Sequence, residues 1–596
     1  MQNLAAIGPI LIPLGTAFLL PFAAVISRRL IGILCLLAMT FTLAVLILAA
    51  GPVLMQGKIL VYWLGGWQPQ GSLALGINIA IDAWGLFIAF TIALVGFLVV
   101  LYSIVYMEEE TGKEAYFILV MLLIAAMIGF SLTGDLFNQF VWLEILSFAA
   151  FALTGFHFQD HLALEGAFKY LITNSVASLF IAVALALLYG TTGALNLADA
   201  AGEFGANSAE MIALGLLFAG YATKTALVPW HFWLPDAYDA APAPVTALFS
   251  GALSKVGIYA IARLLFTLTP IGFNYIVRSI FLGIAGITMF VGGFQMLRQD
   301  SIKRILAYSS ISQMGYILMG LSIGSPLGLA AAAMHVFTHA LSKTALFFGA
   351  GSIQLRSGIR RLSEGSRLIR RMPVTFVLMA LAGLSLSGAP LFIGFVSKTM
   401  LEDAATGVGL LWLTGLAVLA SVFTLAGIAR LLWQVFFKGE NETVLAGEGE
   451  ARPLSIVAML VPVVISLFVG IFPNGLLGEI GWPSAAALLQ PGIYVNDVLK
   501  MEGKPANFFF NVQLAPSYLR LTAWIIPLIV IVVGLLLAYF SLPENEFRFW
   551  RFAPQKQLAV ALRRWHSGYV LDYLLWITFS TSLLLILFIV FFIQVT

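Results

Sequence analysis

The sequence is poor in charge and in cysteine. Of its 596 residues only 10% are charged, whereas 61% are apolar, and the mean hydropathy is +0.99. A water-soluble chain of this length needs far more polar surface, so the composition excludes a soluble globular protein. The single cysteine, Cys35, can form no internal disulfide and cannot hold a metal cluster by itself. A disulfide-stapled ectodomain and an iron–sulfur site are therefore not supported.

The excess of positive charge is also small. The formal net charge is +3, and the basic residues cluster in a few segments. Clusters of this kind indicate membrane topology rather than a nucleic-acid partner. We therefore expect the lipid bilayer as a partner, no nucleic acid, and no cofactor or resident metal.

Long apolar runs are what the chain has in abundance. Windows of about 20 residues, the length that crosses ~30 Å of hydrocarbon at ~1.5 Å per residue, recur from one end to the other. The sequence predicts an all-α polytopic membrane protein with about sixteen transmembrane helices. The predicted spans are 5–25, 29–49, 81–103, 116–132, 134–155, 167–189, 209–229, 244–268, 275–296, 303–322, 328–351, 373–394, 409–437, 453–473, 522–541 and 568–594.

The basic residues fall mostly on one side if the loops alternate across the membrane. That side receives Arg28, Arg29, Arg298, Lys303, Arg304, Arg356, Arg360, Arg361, Arg367, Arg370, Arg371, Arg548, Arg551, Lys556, Arg563 and Arg564. The opposite loops hold chiefly Lys58, Lys500, Lys504 and Arg520. The positive-inside rule then places the first set in the cytoplasm and both termini outside.

Two of the predicted spans are interrupted in the same way. The stretch KTALVPWHFWLPDAYDAAPAP breaks the seventh span at Pro229, and LAGLSLSGAPLFIGFVSKTM breaks the twelfth at Gly388 and Pro390. Broken helices at corresponding positions are typical of transporters built from inverted repeats. The offset of five predicts two inverted five-helix repeats within four regions. These are N-terminal helices over 1–110, repeats over 111–272 and 273–438, and a C-terminal extension over 439–596.

Six stretches also resemble a known family. They are DLFNQFVWLEILSFAAFAL, EGAFKYLITNSVAS, KTALVPWHFWLPDAYDAAPAPVTALFSGALSKVGIYAIAR, SIKRILAYSSISQMGYIL, HVFTHALSKTALFFGAGSI and SGAPLFIGFVSK. In matching order over roughly residues 80–430, they are similar to the antiporter-like proton-translocating subunits of complex I, membrane-bound hydrogenases and Mrp sodium/proton antiporters. The form DLFNQFVWLE favours the Mrp and hydrogenase branch.

The resemblance implies a proton pathway along the membrane plane. Glu144 matches the family's intramembrane glutamate, and Lys224 and Lys398 match the ionisable residues of the two broken helices. Lys255 matches the lysine of the following span, and His335, His339 and Lys343 match the HxxxHxxxK helix. The resemblance further implies other membrane subunits as partners, and protons and possibly Na⁺ as the transported ions.

The chemistry of these residue types supports a proton path. A lysine that loses hydration in a low-dielectric interior can both accept and release a proton, and histidine titrates near neutral pH without help. Residues four apart lie on one helical face, so His335, His339 and Lys343 form one stripe. Glu144 beside Lys224 would favour the protonated lysine, whereas a second cation such as Lys255 would oppose it.

Other interpretations of the same residues remain open. A buried glutamate or lysine can be a structural ion pair, and Lys398 can snorkel to the interface if it lies near a helix end. His335 and His339 have the spacing of metal ligands, but zinc needs a third ligand and Lys343 is a poor one. Lys169 with Glu165 is either a helix-stabilising pair or part of a proton entrance.

The function predicted from the sequence is that of a proton-translocating subunit of a multi-subunit cation/proton antiporter in a prokaryotic inner membrane. The alternative is the pumping membrane subunit of a complex I-like oxidoreductase or membrane-bound hydrogenase. No bond chemistry is expected of the chain itself. A membrane enzyme with a histidine base and an inert scaffold are hypotheses from other classes, and no nucleophile accompanies the histidines.

The C-terminal extension argues against one role in a complex I-like assembly. Only about 27 residues join the last two spans, and a helix of that length reaches at most ~40 Å. Such a helix is too short to brace a row of subunits, so docking to one neighbour is favoured.

Overall fold

Helices form almost all of the regular structure, as the apolar composition predicts. The computed structural model describes residues 2–70, 73–205, 207–269, 275–365, 367–438, 449–501, 521–542 and 568–593. The segment that joins the last two predicted spans, with Arg548, Arg551, Lys556, Arg563 and Arg564, lies outside these residues, as do Lys504 and Arg520.

The helices follow one another with short connections. In chain order they are α1 (Gln2–Ile26), α2 (Arg28–Ala50), α3 (Ala83–Tyr106), α4 (Lys113–Leu132), α5 (Leu136–Thr154), α6 (His161–Thr192), α7 (Leu197–Glu203), α8 (Ser208–Thr225), α9 (Trp233–Ala240), α10 (Ala243–Leu268), α11 (Tyr275–Met296), α12 (Ile302–Ile323), α13 (Pro326–Ser357), α14 (Pro373–Ser387), α15 (Ile393–Gly407), α16 (Leu411–Phe436), α17 (Pro453–Ile471), α18 (Trp482–Leu489), α19 (Pro491–Leu499), α20 (Ile525–Phe540) and α21 (Val570–Ile593).

The polytopic helical prediction is confirmed, with one exception. Eleven of the described helices are long and apolar enough to cross a membrane, namely α1–α6, α10, α11, α16, α17 and α21. The exception is a hairpin of two antiparallel strands, β1 (Leu60–Trp63) and β2 (Asn78–Ile81). The span predicted to begin at residue 81 therefore begins at Ala83, because Asp82 caps α3 by accepting the Gly85 N–H at 2.8 Å.

Polar helices occupy the centre of the protein and apolar helices surround them. Almost every residue of α10, α12 and α13 is buried, although these helices carry many of the polar side chains. By contrast α1, α2, α20 and α21 expose large apolar side chains on their outer faces, as lipid-facing helices do. Two of the central helices, α12 and α13, fall outside the eleven apolar ones, since their polar residues lower the hydropathy.

The two interruptions predicted from the sequence are real breaks with matching geometry. Helix α8 ends at Thr225 and α9 begins at Trp233, while α14 ends at Ser387 and α15 begins at Ile393. The first break therefore begins before Pro229, at Ala226. Both end residues, Ala226 and Gly388, have left-handed backbone angles with φ of 58° and 88°.

The backbone hydrogen bonds at the two breaks also match. At each break the end residue donates to the carbonyl three residues back, and the next residue donates to the carbonyl five residues back. The bonds are Ala226 to Thr223 (3.0 Å), Leu227 to Ala222 (2.9 Å), Gly388 to Ser385 (3.1 Å) and Ala389 to Leu384 (3.0 Å). This pattern satisfies carbonyl groups that a helix end leaves open.

The last two described helices pack against different parts of the bundle. Helix α21 packs on α8 and α6, whereas α20 packs on α16. In the first break the Trp230 indole donates to the Thr581 hydroxyl at 3.2 Å, and the Phe232 ring stacks on Tyr573 with ring centres 5.5 Å apart. Near the second break the ring centres of Phe395 and Trp524 are 5.9 Å apart. Each break is thus covered by part of the C-terminal extension.

A glycine sets how closely the first broken helix approaches α10. A Cβ atom on Gly257 would lie 2.0 Å from the Thr225 hydroxyl oxygen and 3.0 Å from the Tyr221 carbonyl oxygen. These atoms belong to the last turn of α8, next to Lys224. Only glycine therefore allows α10 and the end of α8 to lie in direct contact.

We expect Gly257→Ala to destabilise the protein and Gly283→Ala to leave it as stable or more stable. Alanine favours a helix over glycine by ~1 kcal/mol, but overpacking at Gly257 costs about 1–3 kcal/mol. No atom lies within 4 Å of a Cβ on Gly283. Thermal melting of the purified variants in one detergent measures the difference, and equal melting temperatures would contradict the proposed close contact.

Candidate functional site

Six of the seven residues selected from the sequence are buried in the centre of the bundle. They are Lys224 on α8, Lys255 on α10, His335, His339 and Lys343 on α13, and Lys398 on α15. Glu144 on α5 is only partly buried. Hydrogen-bonding partners, described next, join several of them into a line across the two broken-helix units.

The centre of the line is a direct contact between Lys255 Nζ and His339 Nδ1. The same amine lies 3.2 Å from the Ser254 hydroxyl and donates to the Ser250 carbonyl. A hydrogen bond between two nitrogen bases needs one donor and one acceptor. In this contact one of the two nitrogens donates and the other accepts.

One helical turn on each side of His339, α13 presents the other two residues of its stripe. Lys343 donates to the Leu306 carbonyl at 2.7 Å and to the Ser309 hydroxyl, both on α12. His335 contacts the Gln313 side-chain oxygen through Nε2 and the Ser397 hydroxyl through Nδ1, each at 3.0 Å. With the Gln313 oxygen as acceptor, the proton of the neutral imidazole lies on Nε2.

Lys398 continues the line on the far side of His335. Its amine donates to the Ser421 hydroxyl of α16 at 2.9 Å and lies 4.6 Å from the centre of the Tyr316 ring. The Tyr316 hydroxyl is 2.8 Å from the same Ser421 oxygen, and the Tyr316 and His335 rings are 5.2 Å apart. Lys398 thus lies in the second turn after the break, buried among polar groups, and does not snorkel to a helix end.

Lys224 and Glu144 occupy the other end and do not touch. The Lys224 amine donates to the Ser147 hydroxyl at 2.8 Å, three residues after Glu144 on α5. Within the described part of the chain no ion pair joins Lys224 and Glu144. The Glu144 Oε1 and His339 Nε2 atoms are buried and have no hydrogen-bond partner among the described residues. Buried polar atoms normally have one.

The start of the glutamate helix is capped as its sequence suggests. Asp135 accepts the Asn138 N–H at 2.7 Å, which fixes the first turn of α5. Burial raises the pKa of the Asp135 carboxyl to about 6, against the opposing effect of hydrogen bonds from the Asn138 and Phe137 backbone. The group lies between α4 and α5, outside both helices.

Sequence reasoning missed a buried carboxylate that joins three parts of the protein. Asp236 on α9 accepts a hydrogen bond from Lys169 of α6 at 2.8 Å and one from the Tyr573 hydroxyl of α21 at 3.0 Å. Arg304 of α12 binds its other oxygen. Lys169 also contacts Glu165 at 2.5 Å, so the predicted pair exists, but Asp236 is its buried partner. Only the position of Asp236 just after a break hinted at this.

A polar cavity of about 290 Å³ lies beside this cluster, on the Arg-rich side. Its lining includes His157, Asp160, Glu165, Asp239, Lys303 and Arg360. The Lys303 amine donates to the Asp239 and Ala241 carbonyls, both at 2.7 Å. Leu306 and Ser309, the partners of Lys343, follow Lys303 on α12 after about one and two helical turns. The cavity therefore ends close to the buried line.

Comparisons with known proteins cover the same region. The family profile described as NADH:quinone oxidoreductase/Mrp antiporter, TM, matches residues 133–424, which include all seven selected residues. A second profile, NADH-Ubiquinone oxidoreductase (complex I), chain 5 N-terminus, matches residues 67–117. Both profiles describe membrane proteins, in agreement with the apolar helices.

Two curated relatives and one solved structure are similar over most of the chain. NADH-quinone oxidoreductase subunit N of Desulforudis audaxviator is 34% identical over 77% of this chain and 94% of its own length. A Na⁺/H⁺ antiporter subunit of Bacillus subtilis is 31% identical over 84% of this chain and 100% of its own. A chain in the Mrp complex from Dietzia sp. DQ12-45-1b superimposes with a TM-score of 0.75 at 27% identity, covering 84% of this chain and 99% of that one.

The two carboxylates that contact Lys169 provide a matched test of the Asp236 cluster. We expect Asp236→Asn to destabilise the protein by about 3–5 kcal/mol, because it leaves buried cations without their counter-ion. Glu165 is 55% exposed on its side chain, so Glu165→Gln should cost less than about 1 kcal/mol. Thermal melting of both variants in detergent measures this. Similar losses of stability in the two variants would show that the burial of a carboxylate does not decide how much it stabilises the protein.

Proposed function

Because the chain belongs to the NADH:quinone oxidoreductase/Mrp antiporter membrane family, we propose that it is a proton-translocating subunit of a multi-subunit cation/proton antiporter. The matched relatives support this: one is named as a Na⁺/H⁺ antiporter subunit, and the matched structure is that of an Mrp complex. Other membrane subunits are then its partners, and protons and Na⁺ the ions of the complex.

The observation that carries the proposal is the solvation of the buried cationic groups. Lys255, Lys343 and Lys398 are bound by hydroxyls, carbonyls, an imidazole and an aromatic face. Among the described residues no carboxylate contacts these amines directly. A structural ion pair would bring such a carboxylate, since a buried charge without one is expensive. Groups solvated in this way suit a proton that arrives and leaves.

The proton path follows from these contacts. A proton on Lys255 can pass to His339 Nδ1 along the bond that joins them. The imidazole then passes a proton from its other nitrogen, Nε2, towards His335 and Lys398. Transfer through imidazole in this way needs a partner at Nε2, and water is the partner that a hydrated path supplies. Glu144 and Lys224 form the opposite end of this path.

Two inverted five-helix repeats within sixteen spans would explain why the two helix breaks match each other. In this proposal the repeats are α4–α10 over residues 111–272 and α11–α16 over residues 273–438, each with one broken helix. Identical hydrogen bonding at the two breaks supports it. The pattern of neighbours supports it too, since the first and last helices of each set pack together. Residues 1–110 and 439–596 then flank the repeats.

The orientation that we propose has the Arg-rich side in the cytoplasm and both termini outside, in a prokaryotic inner membrane. Two contacts between loops support the placement of the basic segments on one side of the membrane. Arg28 pairs with Glu114 at 2.8 Å, and the backbone of Arg360 accepts the Ile302 N–H at 3.0 Å. Positive charge retained on one side is the usual mark of the cytoplasmic face.

A second candidate is the pumping subunit of a redox-driven complex. The 34% identity to a relative named NADH-quinone oxidoreductase subunit N favours it. Both candidates use the same buried line and differ in what drives it. Electron-transfer subunits that copurify with the chain would support the second candidate, and a complex of membrane subunits alone would support the first.

We expect Lys224→Ala and His339→Leu each to reduce cation-driven proton movement at least about tenfold, since a positioned proton carrier is worth ~10²–10⁴ in rate. The measurement is ΔpH-probe fluorescence on addition of NaCl to energised inside-out vesicles containing the assembled complex. Lys58→Ala is the matched control, because Lys58 is an exposed lysine outside the seven selected residues.

The amount of assembled complex separates transport from scaffolding. If Lys224 and His339 belong to the proton pathway, both variants assemble nearly as much complex as the wild type while transport falls. If both variants instead lower assembly and transport in proportion, the lysine and histidine serve only to hold helices together, and the proposal is wrong.

A further inference from the structure

Glu402 lies one helical turn beyond Lys398 on α15, outside the set of residues selected from the sequence. A spacing of four places the two side chains on one face of the helix. Lys398 is buried, Glu402 is half-buried and Asp403 is exposed. In the described part of the chain no ion pair joins Lys398 and Glu402. Both side chains instead line one space beside the second break.

That space is a small cavity. It is lined by Lys398, Glu402, Ser421 and the residues at the second break, Ser387 and Gly388. Its volume is about 10 Å³, close to the minimum that one water molecule needs. Ser421 already accepts a hydrogen bond from the Lys398 amine. A water here has an amine, a hydroxyl and a carboxylate as partners.

The cavity is separated from lipid by the C-terminal extension. Ile526, Pro527 and Val530 of α20 form one wall of it. Their neighbours Ile529, Val532 and Val533 are exposed large apolar residues on the outside of the same helix. Helix α20 therefore places an apolar layer between the polar groups and the surrounding hydrocarbon.

Helix α15 runs away from the Arg-rich side. The Leu362 N–H donates to the Asp300 carbonyl, and the Arg367 N–H donates to the Lys438 carbonyl. The segment before α14 and the end of α16 therefore share one side. The turn between α15 and α16 lies on the other. At ~1.5 Å per residue, Glu402 is ~6 Å closer than Lys398 to that opposite side.

We propose that Glu402 is the last proton relay between Lys398 and the aqueous phase opposite the Arg-rich side. The inference rests on the proposed function, because it takes Lys398 as a member of the proton path. The Lys398 ammonium gives one proton to the cavity water, which gives one of its own protons to a Glu402 carboxylate oxygen. The Glu402 carboxylic acid then releases its proton to bulk water, and Lys398 remains as a neutral amine ready for the next proton.

The transport test compares two neighbouring carboxylates. Glu402→Gln keeps the shape of the side chain but cannot take up a proton, so we expect proton movement to fall at least about tenfold. Asp403→Asn removes the same charge one residue away and should change the rate less than about twofold. Glu402→Asp, which keeps a carboxylate, should retain more activity than Glu402→Gln. All rates are measured in vesicles and divided by the amount of assembled complex.

A histidine at this position separates a relay from a fixed counter-ion. Glu402→His can carry a proton but brings no negative charge to Lys398. A relay predicts that it transports faster than Glu402→Gln. If Glu402 only neutralises Lys398, Glu402→His is as slow as Glu402→Gln or slower, and the proposal is overturned.

A second measurement locates Glu402 without depending on transport. Cys35 is the only cysteine and is buried, so Cys35→Ala provides a thiol-free background. In that background we expect Glu402→Cys to react with a membrane-impermeant thiol reagent from the side opposite the Arg-rich segment. Its reaction should be at least about tenfold faster than that of Lys398→Cys, because the thiolate must be reached by water and reagent.

The outcomes distinguish this inference from the proposed function. Wild-type rates in Glu402→Gln, or labelling only from the Arg-rich side, would overturn the relay even if Lys224→Ala still reduces transport at least about tenfold. If the wild-type complex moves no protons in response to cations, the antiport proposal fails. The labelling experiment then still decides whether Glu402 reaches the proposed aqueous phase.

Discussion

The contact between Lys255 and His339 is the point on which the arrangement of polar groups depends. Lys255 comes from α10 and His339 from α13, so one proton-sharing bond joins the two broken-helix units. Around it, serine hydroxyls and backbone carbonyls take the place of water. Hydroxyls and carbonyls stabilise a charged amine less strongly than a carboxylate does. A group held by hydroxyls changes its charge without first breaking an ion pair.

The direct ion pairs among the described buried residues use none of the side chains of this line. Asp82 and Arg263 are both buried and pair through two bonds, 2.5 and 2.8 Å long, between the start of α3 and α10. Asp236 likewise gathers Lys169, Arg304 and Tyr573 from three helices. Such bidentate and shared pairs fix helices in place. Among the described residues, buried charge is therefore held in two ways, by direct ion pairs or by hydroxyls, carbonyls and an imidazole.

Much of this could be predicted from the chain because polar residues in apolar runs are conspicuous. The lysines and histidines of α8, α10, α13 and α15 and both helix breaks were identifiable from local sequence. What local sequence could not supply is the identity of their partners. Lys224 binds Ser147 rather than Glu144, and Asp236 binds a tyrosine 337 residues away. The strands β1 and β2 were also missed, since they are only four residues long and pair across a loop. Contacts between distant segments depend on packing, which no short pattern encodes.

The docking of α21 onto the first broken helix has a consequence for biosynthesis. Trp230 and Asp236 bind Thr581 and Tyr573, which leave the ribosome after every other described helix. Before α21 is made, the Trp230 indole and the Asp236 carboxylate lack these two partners. Synthesis of α21 thus covers this side of the first break, and a chain that stalls before this step would leave these polar groups uncovered.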